Sequence, residues 1–234
     1  MGTEFIPLVF TSGWASGINA YAVVLVMGLA DRFFSLSQVP DALGRTDVLV
    51  GAGVLFLLEA FADKIPYVDS LWDSVHTVVR PVVGATIGYL VGHEGSSLAA
   101  AIGAATGGVT ALLSHGVKAG LRTVVNTSPE PVSNVVVSTS EDVTVASVMA
   151  LALAHPWWAA TIALVLLVLG AWIVYRLAGR LRRLRRRYDA WGERVGLAQP
   201  TTSTPQTRPS APPGPPARRG GTRPPTQTDR PTDP

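Results

Sequence analysis

The feature that most constrains this chain is an uncharged apolar run in its C-terminal third. No charged side chain occurs from Trp157 to Tyr175, and the apolar stretch extends over residues 156–177. About 20 apolar residues are enough to cross a bilayer as a helix. Over the whole chain 47% of the residues are hydrophobic and 15% are charged, whereas soluble domains carry about 25% charged residues. The sequence therefore predicts an integral membrane protein.

Other apolar segments predict a polytopic helical protein. The first of them is uncharged until Asp31-Arg32 and lacks a basic leading region, so we expect it to be retained rather than cleaved as a signal peptide. The fifth is the most interrupted, by Ser138, Ser140, Glu141 and Asp142. We predict an all-α fold with about six transmembrane spans, at residues 5–30, 48–62, 75–92, 97–113, 132–154 and 156–177.

The domain organisation follows from composition. Residues 1–178 are predicted to form the helical transmembrane domain, and residues 179–199 a basic juxtamembrane helix. Residues 200–234 are rich in Pro, Thr and Arg. Because such a segment cannot bury an apolar core, we expect a disordered cytoplasmic tail.

Basic residues set the expected orientation. Up to Tyr175 there are six Lys and Arg against twelve Asp and Glu, whereas from Arg176 onward there are thirteen Arg against four acids. Cytoplasmic flanks carry the excess of Lys and Arg, so the end of the last span is expected in the cytoplasm. An even number of spans would put both termini there. We expect Arg176–Arg187 to contact anionic lipid headgroups, and no nucleic acid to bind.

Small residues mark sites where helices can approach closely. Gly13 and Gly17 are four apart in the first span, and Gly103 and Gly107 repeat the spacing in the fourth. These two spans would run in opposite directions, which hints at an inverted repeat of three plus three spans. A homo-oligomer is left open.

Charged residues follow one face of two predicted helices. Glu59 and Asp63 are four apart, and Pro66 ends their helix. The next helix presents Asp69, Asp73, His76 and Arg80 at steps of four, three and four, which is one helical face. The fourth and fifth spans present a similar face each: His115, Lys118, Arg122 and Asn126, and then Asn134, Ser138 and Glu141.

Charges at bilayer depth are costly, about 2.5–3.5 kcal/mol each on insertion scales, so we expect these faces to point inward and pair. Lys118 is expected to face Asp73. The predicted polar cluster, with a ligand- or ion-binding role as its functional interpretation, comprises Glu59, Asp63, Asp69, Asp73, His76, Arg80, His115, Lys118, Arg122 and Glu141.

The cluster has two interpretations. It could bind a solute or cation, or relay protons. The spacing of Asp73 and His76 also suits metal ligands, but no particular metal is predicted. It could equally be a salt-bridge scaffold that fixes helix packing. An enzyme is not expected, because the chain has no cysteine and no nucleophile-elbow, phosphate-loop or zinc-protease motif. No cofactor is predicted.

Three motifs carry a family resemblance: Ala15–Tyr21 (ASGINAY), Asp63–Pro81 (DKIPYVDSLWDSVHTVVRP) and Lys118–Asn134 (KAGLRTVVNTSPEPVSN). Over about residues 8–178 the chain resembles the uncharacterised bacterial membrane-protein family called domain of unknown function 4126. The resemblance implies a bacterial membrane protein with several spans, and from the charge bias we expect it in the inner membrane. The family brings no established activity, so it assigns no role to any residue.

The leading functional hypothesis is a small solute or cation transporter, or a channel-like protein, with an inward-facing polar cluster. The alternative is a non-transporting membrane scaffold or accessory protein whose polar cluster is structural. A water-accessible cavity that reaches Asp73 and His76 would favour transport. A dry and fully paired cluster would favour the scaffold.

Overall fold

The computed structural model of the protein describes residues 4–93, 95–125 and 131–194, and all regular structure in these ranges is helical. The predicted disordered tail and Asn126 lie outside the described residues. Met1–Arg187 forms one compact unit, and the described end of the last helix from Tyr188 onward belongs to a second unit. The six helices are α1 (Phe5–Phe34), α2 (Thr46–Ala62), α3 (Pro66–His93), α4 (Ser97–Val125), α5 (Pro131–Ala154) and α6 (Pro156–Arg194).

The all-α, multi-span prediction is confirmed. Among the described residues, five helices are long and apolar enough to cross a membrane: those containing 5–34, 68–93, 97–123, 134–154 and 156–180. The second predicted span, residues 48–62, lies in α2, which is not among these five helices. Helix α2 has 17 residues, or about 26 Å at 1.5 Å per residue, against a hydrocarbon core of about 30 Å.

Glycines bring α3 and α4 into close antiparallel contact. A Cβ on Gly84 would overlap Gly107, one on Gly88 would overlap Gly103, and one on Gly92 would overlap Ala99. The predicted small-residue motifs are also confirmed as contact sites, because Gly13 lies against Gly107 and Thr110 of α4. Backbones packed this closely leave room for no side chain at the contact.

Helix α1 is broken at Asn19. This residue has φ −146° and ψ 98°, which is extended backbone within an otherwise helical segment. The Asn19 side chain accepts a hydrogen bond through Oδ1 from the backbone N–H of Ala22 at 2.9 Å. Asn19 thereby acts as an N-cap, and a second helix starts from it. We call residues 5–18 the first half of α1 and residues 19–34 the second half.

The second half of α1 turns back along the bundle. In the first half Gly13 lies beside Gly107 and Gly17 beside Ala111, so a straight α1 would bring Gly28 level with Arg122. Instead, Gly28 contacts Leu49 near the start of α2. The opposite end of α2 meets Arg122, because the Asp63 backbone carbonyl accepts a hydrogen bond from that side chain. Leu49 and Asp63 are about 21 Å apart along the chain at 1.5 Å per residue.

Contacts with α5 also show that the second half of α1 turns back along the bundle. Asn19 donates a hydrogen bond to Asp142, and Gln38, just beyond α1, donates one to the Leu153 carbonyl. Glu141 meets Arg122 at 2.9 Å, so Leu153 lies about 18 Å from that level. Both ends of α1 therefore lie towards the end of the bundle where α4 begins. The expectation that the first and fourth spans run in opposite directions is wrong, because the first half of α1 runs parallel to α4.

Candidate functional site: a buried charged network at the break in α1

The structure brings the predicted charged residues together. Eight of them form a set of ion pairs that we call the charged network, and it joins the C-terminal ends of α2 and α4 with the N-terminal parts of α3 and α5. His115 contacts one of its members, and His76 lies beside it on α3. The network comprises Glu59, Asp63, Asp69, Asp73, Arg80, Lys118, Arg122 and Glu141.

Arg80 lies fully buried on α3, one turn beyond His76. Its guanidinium donates to Oε1 of Glu59 at 2.6 Å and to Oδ1 of Asp73 at 3.0 Å. The same guanidinium lies 2.7 Å from Nδ1 of His115. Arg80 thus ties α2 and α4 to Asp73 on its own helix.

Lys118 of α4 reaches three carboxylates and a helix end. Its ammonium lies 2.9 Å from Asp63, 3.5 Å from Glu141 and 3.7 Å from Glu59. It also donates to the Ile18 carbonyl at 3.0 Å. The expected pairing of Lys118 with Asp73 is therefore wrong. The partner of Asp73 is Arg80, because that arginine occupies the space between α3 and α4.

Arg122 forms the third centre of the network. It donates to Oδ2 of Asp63 and Oε2 of Glu141, at 3.0 Å and 2.9 Å, and lies 3.5 Å from Asp69. Burial by itself would raise the pKa of the Asp63 carboxyl, but Lys118 and Arg122 together hold that pKa below its ordinary value. Asp63 is therefore ionised at neutral pH.

The network meets α1 at its break. The Ile18 carbonyl, at the end of the first half, accepts from Lys118, and Asp142 accepts from Asn19 at the start of the second half. A helix carries partial negative charge at its C-terminal end and partial positive charge at its N-terminal end. The cation and the carboxylate therefore each stabilise the half of α1 that they meet. Asn19 is 1% exposed, so protein covers the broken backbone, as a membrane interior requires.

His76 does not face Asp73 as a metal ligand would. Its Nε2 lies 3.0 Å from the Tyr21 hydroxyl and its Nδ1 lies 2.8 Å from the Trp72 carbonyl. No group of three or more metal-ligating side chains close enough to hold an ion occurs among the described residues. The geometry of the described residues therefore gives no support to a metal site at Asp73 and His76.

Helical spacing does not predict that Asn19, Tyr21 and Asp142 lie at the site. Asn19 bonds to Asp142 at the break in α1, and Tyr21 bonds to His76. Asn19 and Tyr21 lie in a segment without charges, which shows no polar stripe. The one available signal was that both fall in the Ala15–Tyr21 motif. On α5 the buried Asn134 and Ser138 precede Glu141 on the predicted face.

Negative charge exceeds positive charge in the network. Among the described residues it contains five carboxylates, Glu59, Asp63, Asp69, Asp73 and Glu141, against three cations, Arg80, Lys118 and Arg122. With all of them ionised the net charge is therefore −2. Two buried carboxylate oxygens, Oε2 of Glu59 and Oδ1 of Asp63, have no hydrogen-bond partner in the described chain. Buried acceptors of this kind favour a proton or a cation.

Cavities adjoin the network on two faces of α4. A polar cleft of about 450 Å³ lies between α3 and α4 and is lined by Asp69, Asp73 and Arg122, together with hydroxyl side chains. A mainly apolar cavity of about 180 Å³ lies among α1, α4, α5 and α6 and reaches Lys118 and Glu141. The cleft reaches Asp73, as the transport hypothesis requires, but His76 does not line it.

Comparison with known families bears on the whole helical region. The sequence profile of the family described as Domain of unknown function (DUF4126) matches residues 6–176. The chain belongs to the DUF4126 family. This confirms the resemblance seen in the three sequence motifs, and the match ends before the arginine-rich part of α6. No curated protein and no solved structure matches the chain. Membership in DUF4126 thus transfers no activity, and function has to be argued from the site.

Proposed function

We propose that this DUF4126 protein moves a small cation, or protons, across the membrane through the charged network. The observation that carries the proposal is the excess of two carboxylates over cations in a buried site. An unbalanced charge in a medium of low polarity is costly, so a mobile cation or proton that neutralises it is stabilised there. Ionisable groups inside membrane proteins commonly mark such pathways.

The broken helix supports the proposal. Transporters commonly place their sites where a discontinuous helix ends inside the bundle, because the free backbone groups and the half-helix dipoles interact with ions there. Here the break at Asn19 lies against Lys118 and Asp142. Cavities on two faces of α4 meet the network at different members, Asp73 and Glu141. The network would then be the barrier between the two cavities.

A structural role remains the alternative, and one observation favours it. Each cation of the network already contacts at least two carboxylates within 4 Å. Such dense pairing fixes the register of α2, α3, α4 and α5, as a scaffold would require. Buried ion pairs of this kind are retained in some proteins for specificity rather than stability. A scaffold would not, however, require more carboxylates than cations.

Orientation is part of the proposal. We place the arginine-rich end of α6 on the cytoplasmic side of a bacterial inner membrane. Helix α6 runs parallel to α4, since Gly170 lies beside Val117 and Val174 beside Gly120. The C-terminal end of α4 and the charged network are then nearer the cytoplasm. Because α1 turns back at Asn19, we place the N-terminus on the opposite side, which replaces the expectation that both termini are cytoplasmic.

Lipid contact at the end of α6 follows from the same orientation. The Arg176 guanidinium stacks over Trp172, 4.9 Å from the ring centroid, an arrangement suited to the interface between hydrocarbon and headgroups. Exposed Arg180 and Arg183 continue the basic flank. We propose anionic headgroups as the partners of Arg176–Arg187.

Ion flux tests the proposed function. Purified protein in liposomes should dissipate an imposed proton or potassium gradient faster than protein-free liposomes do. Asp73→Asn should slow the flux several-fold, because it removes a charge that lines the cleft, while Arg80 keeps its bond to Glu59. The measurement is the decay of a pH-sensitive or potassium-sensitive dye signal inside the liposomes.

Asp47→Asn is the matched control, since Asp47 is exposed and pairs with the equally exposed Arg45. It should leave the flux unchanged. Folding of each variant is checked by thermal melting in detergent. A folded wild-type protein that passes neither protons nor any monovalent cation would contradict transport and leave the scaffold as the function.

A further inference from the structure

We propose that the 180 Å³ cavity binds a small organic ammonium ion, a primary amine with a short alkyl chain. This inference rests on the proposed function and deepens it, because it names the class of cation that the site takes. The cavity is lined by side chains of α1, α4, α5 and α6. The lining combines apolar side chains with a few polar ones, and each group restricts the ligand.

The hydroxyl side chains of the lining offer hydrogen-bond acceptors. The Ser114 hydroxyl donates its proton to the Trp14 carbonyl at 2.6 Å, that of Ser140 to the Val137 carbonyl at 2.7 Å, and that of Thr144 to the Ser140 carbonyl at 2.6 Å. A hydroxyl has only one proton, so with these bonds made each of the three has only lone pairs left to offer a ligand. A ligand that satisfies them must donate.

Glu141 adds a negative charge to the lining. Arg122 and Lys118 both contact its Oε2, and neither pair involves Oε1. Lys118 also lines the cavity, but its ammonium points to the Ile18 carbonyl and to Asp63. Lys118 is therefore already bound to acceptors of the protein itself. The charged network as a whole carries surplus negative charge. These conditions favour a cation over an anion or a neutral molecule.

The rest of the wall is apolar and limits the size of the ligand. Ile18, Val117, Leu121, Leu166 and Leu167 line it, together with Trp14. A dry apolar cavity of about 150 Å³ accommodates benzene, so about 180 Å³ suits a cation with a few carbon atoms. An apolar wall gives no replacement for the water shell of an inorganic ion, whereas it suits an alkyl chain. An aromatic side chain such as Trp14 is also a common partner of organic cations.

Thermal stability of the full-length protein in detergent tests the inference, with n-butylammonium as the probe. A ligand that binds only the folded state raises the melting temperature as its concentration rises. We expect such a rise for n-butylammonium chloride and none for n-butanol or sodium butyrate, measured at equal ionic strength. Equal shifts for n-butanol would overturn the inference, since the cavity would then take any small apolar molecule.

Variants locate the binding. Glu141→Gln should weaken n-butylammonium binding at least tenfold, because it removes the one carboxylate of the cavity, and tenfold corresponds to about 1.4 kcal/mol. If that variant does not fold, Thr144→Val removes a single acceptor at nearly constant volume, and Leu167→Trp fills the apolar wall. Both should reduce the shift. Thr161→Val is the matched control, because the exposed Thr161 makes the same kind of bond, to the Trp157 carbonyl, away from the cavity. Unchanged affinity in both Thr144→Val and Leu167→Trp would overturn the site.

The two proposals fail in different ways. If liposomes with the protein pass protons or potassium and n-butylammonium does not bind, the organic-cation site is wrong and the proposed function stands. If n-butylammonium binds with the expected dependence on Thr144 and Leu167, and no cation crosses the liposome membrane, the site stands and transport is wrong.

Discussion

Replacing Arg80 with methionine is expected to lower the free energy of unfolding by about 3–5 kcal/mol, the usual cost of removing one partner of a buried ion pair. Arg80 and Glu59 both have fully buried side chains, and the same guanidinium binds Asp73. Methionine fills a similar volume but removes the ion pair of Asp73 and leaves Glu59 with only the longer contact to Lys118, at 3.7 Å. Denaturant or thermal unfolding of the purified protein in detergent measures the loss.

Two comparisons separate lost pairing from lost packing. Adding Glu59→Gln and Asp73→Asn to Arg80→Met should restore part of the stability, because the orphaned charges are then gone. Arg45→Met is the matched control, since Arg45 pairs with Asp47 on the exposed surface, and exposed pairs contribute little. A loss in Arg45→Met as large as in Arg80→Met would contradict the role given to burial, and so would the absence of any rescue.

Gly88→Ala is expected to destabilise the bundle by about 1–3 kcal/mol, the range typical of overpacking. A Cβ on Gly88 would overlap the Gly103 carbonyl oxygen, and one on Gly103 would overlap the Gly88 carbonyl oxygen. Backbone atoms cannot rotate away as a side chain can, so α3 and α4 would have to separate. The melting temperature in detergent gives the size of the effect.

Gly116→Ala should act in the opposite direction. Gly116 lies inside α4, and a Cβ there would meet no atom within 4 Å. Since glycine in a helix interior is about 0.5–1 kcal/mol less favourable than alanine, this variant should be neutral or slightly more stable. If both alanine variants change stability equally, close contact between Gly88 and Gly103 does not hold α3 and α4 together.

Helical spacing predicted which charges share a site. Steps of three and four placed Asp69, Asp73 and Arg80 on one face, and the cost of charge in a bilayer pointed that face inward. The same rules did not predict partners. Lys118 was expected to meet Asp73 and instead meets Asp63, because the pairing depends on how two helices are shifted along each other. That shift is set by the glycine contacts between α3 and α4, which a single helix does not reveal.

The break in α1 is the largest difference between the structure and the fold predicted from the sequence. The predicted first span contains no Pro near Asn19 and reads as one uninterrupted apolar helix. Its break depends on tertiary partners, namely Lys118 at the Ile18 carbonyl and Asp142 at the Asn19 side chain. These partners lie 100 and 123 residues away in sequence. Local propensity therefore favoured a straight helix, and long-range hydrogen bonds favour the reversal.

The reversal of α1 is the central claim of the structure, because it places a helix break at the charged network. Sidedness of single cysteines tests it most directly, and the chain contains no other cysteine. Glu4→Cys and Ser37→Cys mark the two ends of α1, and Arg183→Cys marks the basic part of α6; all three positions are exposed. A membrane-impermeant maleimide is applied to intact cells and to inverted inner-membrane vesicles.

We expect Glu4→Cys and Ser37→Cys to be labelled in intact cells, and Arg183→Cys to be labelled only in inverted vesicles. This pattern would place both ends of α1 on one side of the membrane and the basic end of α6 on the other. Labelling of Glu4→Cys and Ser37→Cys from opposite sides would mean that α1 crosses the membrane without turning back. That result would contradict the reversal at Asn19 and the placement of the charged network at a helix break.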